Sequence, residues 1–322
     1  MKMHLGARNI PKWLVTFICI FIFSAKHVES KPNYLLSSGP KPKIGIAFGG
    51  GGAKAAAQIG VLKRLHQLGI KVDYVAGTSM GSVIAGLYAA GYTPSELEQL
   101  LMEDSGLWIY DGTRVGKIKI NDGRKVTGVI TTKYFQNHLE ELLKKKGAHN
   151  YDDLKIPFRC VATNYNREKF EERVCSVGVI ARDLASSTAY PIAFNPVQNK
   201  GEEYLDGGMM NNLPVDVVKA MGADIVIAID LESGNKDDVW DWISFLADNL
   251  TLKLFSGTKW FACRPDKGKR EENIAMADIY IHPALGDYDI KDYNSKKIDE
   301  MIEIGYNACL VDSIARKLEQ LK

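Results

Sequence analysis

Three short stretches of the chain carry residues whose types and spacing can do chemistry. The first is a run of four glycines, Gly49, Gly50, Gly51 and Gly52, followed by Ala53 and Lys54. The second is "GTSMG", in which Ser79 stands between Gly77 and Gly81. The third is "DGG", with Asp206 followed by Gly207 and Gly208. A serine in a Gly-x-Ser-x-Gly setting, after a strand and before a helix, is presented as a nucleophile on a turn too sharp for side chains at the flanking glycines. The helix that follows aims its free N–H groups and positive end at the reacting oxygen. Four consecutive glycines are costly to order. They are useful where backbone N–H groups must reach a developing oxyanion that a side chain would block. The chemistry these stretches suggest is acyl transfer.

A serine nucleophile needs a base. Of the six histidines, His4, His27, His66, His138, His149 and His282, only His282 in "YIHPALG" follows Asp206. That is the order of a Ser–Asp–His triad in one hydrolase class. Its setting reads as more structural than catalytic, and the alternative base is an aspartate: Asp206 ends the strand "EYLD", with two glycines after it that leave room around it. Read alone, Asp-Gly-Gly is also an ordinary turn. A competing reading is a dinucleotide site. Gly50 to Ala55 fits G-x-G-x-x-A, and Asp73 follows Gly50 by 23 positions, near the distance of a ribose-binding acid. Asp73, however, begins its strand, whereas a ribose-binding acid should end it. A phosphate loop of the G-x-x-x-x-G-K-[ST] kind fails, since Lys54 has neither the preceding Gly nor the following Ser or Thr.

The elements that must position these residues alternate. "KIGIAF" reads as a buried strand, Ala53 to Leu68 as a helix stopped by Gly69, and "VDYVAG" as a second strand. Ser82 to Ala90 is predicted helical. Thr93, Pro94 and Glu96 open another helix with a capping box. Lys133 to Lys145 is a further helix. "FRCVATNY" and "ERVCSVGV" are strand candidates, "EYLDGG" a strand and turn, and "VDVVKAMG" a helix. "ADIVIAIDL" reads as a central parallel strand and "ADIYIHP" as another, with one closing helix from Ser295 to Leu321. Such alternation predicts an α/β fold of three layers, a mostly parallel central sheet with helices on both faces.

The 322 residues carry 41 Lys+Arg against 39 Asp+Glu, a formal charge of +2, so nothing points to a nucleic-acid partner. The N-terminus differs from the rest. Lys2, His4, Arg8 and Lys12 precede the uncharged run Trp13 to Phe23, short for a membrane span and suited to a secretory signal cut before Lys31. The expected organisation is a signal peptide over 1–30, a linker over 31–42 and the catalytic domain over 43–322. The protein is then exported, periplasmic or secreted, or membrane-anchored if the signal stays. Cys160, Cys175, Cys263 and Cys309 show no CxxC spacing, so no metal site is expected. Cys160 and Cys175 would lie opposite each other in a hairpin centred near Arg167 and Glu168, as a disulfide or as two buried thiols.

Taken together, "GGGGAK", "GTSMG" and "DGG", in this order and separation, resemble the motifs of the patatin-like phospholipases. From "IPFRCVATN" through "LASSTAYPIAFNPV" to "NNLPVDVVKAMGADIVIAIDL" the chain is similar to bacterial members related to the neuropathy target esterase catalytic domain. The resemblance implies a patatin-like fold and a Ser79–Asp206 dyad. It implies an oxyanion hole from Gly50, Gly51 and Gly52, supported by Lys54, Gly77, Gly81, Gly207 and Gly208. It implies a phospholipid or lysophospholipid substrate met at a membrane surface, with no metal or organic cofactor. Two positions depart from the family's pattern: Ala55 stands where it usually has glycine, and Gln58 where it often has histidine. The alternatives are a nucleotide-binding oxidoreductase and a non-catalytic lipid-binding protein of the same fold. The segment "VWDWISFLADNLTLKLF", with Trp240, Trp242 and Phe245, is a candidate amphipathic lipid contact.

Overall fold

A short apolar run that alternates its side chains between two faces must bury both. Ile44–Phe48 (β1) does so, with every residue buried. Ile44, Ile46 and Phe48 join one apolar core and Ala47 joins a second on the opposite face. The computed structural model describes residues 41–103, 131–165, 170–191, 194–232 and 267–322. The expected signal peptide, most of the linker, the Trp240 segment and Cys263 lie outside them.

β1 leads through the glycine run and a 3-10 turn, Gly52–Ala55, into α1, Ala56–Gln67. Tyr74–Thr78 (β2) leads into Met80–Ala90 (α2), which starts two residues before the sequence-based expectation. Pro94–Glu103 (α3) carries the expected capping box: the Thr93 N–H donates to Glu96 and the Glu96 N–H to the Thr93 hydroxyl. Lys133–Lys145 (α4), Phe158–Asn164 (β3) and Glu171–Cys175 (β4) follow. The expected strand through Val179 stops at Cys175. The chain turns at Gly178, whose φ of +90° suits glycine, into a short helix unforeseen in the sequence, Ile180–Ser187 (α5).

Val197–Asn199 (β5), Glu202–Asp206 (β6), Val215–Ala220 (α6) and Ile225–Ile229 (β7) continue the chain. It ends with Lys267–Met276 (α7), Ile279–Ile281 (β8), Ser295–Ala308 (α8) and Asp312–Glu319 (α9). The expected single closing helix is thus two. The break at Cys309 to Val311 lets α9 turn back and bury Leu318, with α9 packed near β8.

The sheet runs β5-β6-β3-β2-β1-β7-β8, with β4 also paired to β3. β3, β2, β1, β7 and β8 are mutually parallel, while β4, β5 and β6 pair antiparallel. One face packs on α1, α2 and α5, with α8 laid against α1, and the other on α6, giving the three layers expected. α1 and α8 meet at backbone distance, since a Cβ on Gly60 would fall 1.9 Å from the Ile302 carbonyl. Asp73 lies at the amino edge, where its carboxylate accepts the Ile44 N–H at 3.0 Å. That is the wrong end of the sheet for a ribose-binding acid. Cys160 and Cys175 stand directly opposed in the β3–β4 register as two buried free thiols.

Candidate active site

The site forms because two strands share one edge of β3 and meet end to end. Cys160 and Val161 pair with β2 and β4, while Ala162 to Asn164 pair with β4 and β6. Since β4 occupies one edge, β2 and β6 both lie on the other. β2 runs out at Thr78, opposite Val161, and the antiparallel β6 runs out at Asp206, opposite Ala162. Ser79 and Asp206, 127 positions apart, are therefore brought face to face at a seam. Gly207 abuts that seam so closely that a Cβ there would lie 2.2 Å from the Val161 carbonyl.

Ser79 Oγ donates to Asp206 Oδ2 at 2.8 Å, and the Gly208 N–H donates to Asp206 Oδ1 at 2.8 Å. Ser79 is half-buried, at φ +52° and ψ −135°. For a non-glycine residue this conformation costs about 1–3 kcal/mol and persists only where the surroundings enforce it. Bare glycines on either side leave room for it. A Cβ on Gly77 would lie 2.6 Å from the Gly81 carbonyl oxygen, and one on Gly81 would lie 2.4 Å from that of Gly49. Asp206 is only 4% exposed. Burial pushes its carboxyl up to about 6, against the downward pull of the Gly208 N–H and the Ser79 hydroxyl. An aspartate so placed is a much better proton acceptor at neutral pH than one in water.

The glycine loop lies against Ser79: a Cβ on Gly50 would fall 3.0 Å from Ser79 Cβ and 2.4 Å from Asn212 Oδ1. Most of its backbone is engaged. The Gly49 N–H donates to Ile229 O, its carbonyl accepts from Gln58 Nε2 at 2.7 Å, and the Ala53 N–H donates to Ile290 O. The Gly50 N–H donates to Asn212 O at 3.1 Å. Of the three donors expected from sequence, Gly50 is thus committed elsewhere, and its service is close approach. Among the described residues, the N–H groups of Gly51 and Gly52 have no acceptor. Lys54 is buried one turn on. Burial works to raise the nearby Asp292 carboxyl, but hydrogen bonds from Lys297 and the Asp289 N–H, joined by the Lys297 charge and last by that of Lys54, hold it below its ordinary value.

Sequence reasoning missed the residues that tie the three motifs together. The Thr78 hydroxyl donates to Asn211 O, and Asn211 is held by Glu172, Asp216 and Asn273. Gln58, noted only as a departure, pins the loop from beneath. Polar residues after a turn have no periodicity to mark them. The one signal was the pair Asn211-Asn212 set between an acidic turn and a helix.

His282 follows β8, with Nδ1 3.1 Å from Asp230 O and its ring stacked on Tyr280. β8 is three strands from β2, roughly 14 Å at ordinary strand spacing. We expect His282→Ala to keep turnover of a soluble ester within about threefold of wild type, whereas removing a general base costs about 10²-fold or more. A folded, inactive His282→Ala would make the site a triad. Among the described residues no group of three or more His, Cys, Asp or Glu is placed to hold a metal.

Fold and site define an α/β protein that presents a strained serine to a buried aspartate beside a glycine loop at the carboxyl edge of a parallel sheet. The chain belongs to the patatin-like phospholipase family, whose model matches residues 46–219. It is 26% identical over 281 residues to rat patatin-like phospholipase domain-containing protein 7, covering 82% of this chain and 20% of that one. It is 28% identical over 283 residues to lysophospholipase nte1 of Aspergillus fumigatus, covering 82% and 18%. The chain thus spans about a fifth of the length of these relatives. Among solved structures, VipD from Legionella pneumophila aligns with TM-score 0.46 at 16% identity, covering 92% of this chain and 72% of VipD. Human GIVD cytosolic phospholipase A2 aligns with TM-score 0.46 at 11% identity, covering 87% and 60%.

Proposed function

We propose that the chain is a serine lipid acyl hydrolase that cleaves ester bonds of phospholipids or lysophospholipids. The observation that carries this reading is the 2.8 Å hydrogen bond from Ser79 Oγ to Asp206 Oδ2, made by a serine at φ +52°. Ser79 attacks the ester carbonyl while Asp206 takes its proton. The oxyanion that forms is met by the N–H groups of Gly51 and Gly52 and by the start of α2, with Lys54 adding positive charge nearby. Asp206 then returns the proton to the departing alcohol. Water, activated by the same carboxylate, releases the fatty acid from Ser79. The names of the relatives support a lipid ester as substrate. The basic lead and apolar run before residue 31 support export, and a lipid substrate supports work at a membrane surface.

Purified protein mixed with lysophosphatidylcholine micelles is expected to release free fatty acid with multiple turnovers. It is also expected to take up one phosphonyl group on the Ser79 peptide when treated with a fluorophosphonate. Lipid bound without fatty acid release, and no labelling at Ser79, would instead mark a non-catalytic lipid-binding protein.

A further inference from the structure

The β2–β3 ladder stops one rung early, and a side chain occupies the missing rung. In this parallel pair the Val75 N–H donates to Pro157 O. Donors recur every second residue along such an edge. The register Gly77↔Cys160 and Thr78↔Val161 therefore makes Ser79 N–H to Val161 O the terminal rung. That bond is not made. The Ser79 N–H donates instead to Ser187 Oγ at 2.8 Å, and the Ser187 hydroxyl donates to Val161 O at 2.5 Å.

We propose that Ser187 is a positioning residue whose hydroxyl, inserted into this rung, holds Ser79 off the sheet and in reach of Asp206. Ser187 is the last residue of α5 and is fully buried. Both its hydrogen-bonding roles are used at the seam where β2 gives way to β6. With a direct rung, Ser79 would continue β2 with strand dihedrals, and its Oγ would leave the line to Asp206. With the rung opened by one hydroxyl, the chain turns at Ser79 and both backbone groups stay satisfied. The steric limits at Gly77 and Gly81 permit the elbow, and Ser187 sets how far it stands from β3.

This inference rests on Ser79 being the nucleophile, so its test reads geometry as well as rate. Ser187→Ala removes the bridge without adding volume. Ser186→Ala is the control, because Ser186 is equally buried but its hydroxyl donates to Arg182 O within its own helix. On a soluble short-chain ester, Ser187→Ala is expected to lose about 10²-fold in kcat, the scale for a displaced catalytic group, with KM within about twofold. Ser186→Ala should stay within about twofold of wild type in both. Crystals of Ser187→Ala should show Ser79 away from φ +52° and Oγ beyond hydrogen-bond reach of Asp206. Should Ser187→Ala prove too unstable to assay, Ser187→Thr, which keeps the hydroxyl, is expected to retain the elbow and most of the kcat.

An unmoved Ser79 in Ser187→Ala, or a kcat within about threefold of wild type, overturns the proposal, as does equal loss in Ser186→Ala. If Ser79→Ala hydrolyses the ester like wild type, the nucleophile assignment fails instead. The crystallographic position of Ser79 then still decides whether Ser187 sets the elbow.

Discussion

Asp206→Asn is expected to give a folded protein that turns over a soluble ester about 10³-fold or more slowly than wild type, within the range for loss of a general base. The amide preserves shape. Its oxygen can still accept the Gly208 N–H that now reaches Asp206 Oδ1, and its nitrogen can face Ser79 Oγ. It cannot take the proton. The wild-type rate should also depend on pH through this group. Burial raises the carboxyl to about 6, so kcat/KM should fall as pH drops through that value.

Stability should move the opposite way. An unfolded aspartate titrates near about 3.9, so the native state holds the extra proton between the two values. This group's contribution is fully present below about pH 4 and lost as pH rises through 6. At pH 7 the buried carboxylate costs the fold about 2–3 kcal/mol on this count, and the neutral amide relieves it. Asp206→Asn should therefore melt at or above the wild-type temperature while failing to turn over. A variant within tenfold of wild type in kcat would remove Asp206 as the base.

The conflict between stability and activity at one residue bears on what the sequence could reveal. Motifs that act through backbone shape were legible: Gly77 and Gly81 imply a tight elbow, and the four glycines imply a bare loop, because each states a local steric need. The strands were legible where both faces are buried, as in "IGIAF" and "IVIAI", since continuous apolar runs leave little choice. The proximity of Ser79 and Asp206 was legible only through the order of motifs. Its physical cause, β2 and β6 sharing one edge of β3, is a matter of long-range register that no local pattern encodes.

Ser187 was hidden for the same reason. "LASSTAY" does not distinguish the serine that bonds within its helix from the one that bonds to the elbow. Gly50 shows the converse limit. The family resemblance ranks it with Gly51 and Gly52 as an oxyanion donor, but the Asn212 carbonyl that claims its N–H is more than 160 positions away. The overrun of β4 and the single closing helix came from apolar periodicity continuing past a turn, where packing rather than propensity sets the end.

Gly51→Val is expected to lower kcat by about 10²-fold or more with KM near wild type, the signature of losing a transition-state donor. A Cβ at this position would lie 2.9 Å from Leu231 Cβ and 3.1 Å from its Cδ1, and valine adds two methyl groups beyond it. Leu231 is 2% exposed and follows β7, one of the strands beside β1, so it has little room to yield. The loop must move instead. It is anchored on both sides, at Gly49 and Gly50 by Ile229, Gln58 and Asn212 and at Ala53 by Ile290. The displacement therefore concentrates at Gly51 and Gly52, the two whose N–H groups have no acceptor among the described residues. Ground-state binding of an acyl chain does not use those donors, whereas the oxyanion does, so the loss should fall on turnover. A folded Gly51→Val with wild-type kcat would take the loop out of the mechanism and leave oxyanion stabilisation to the N-terminus of α2.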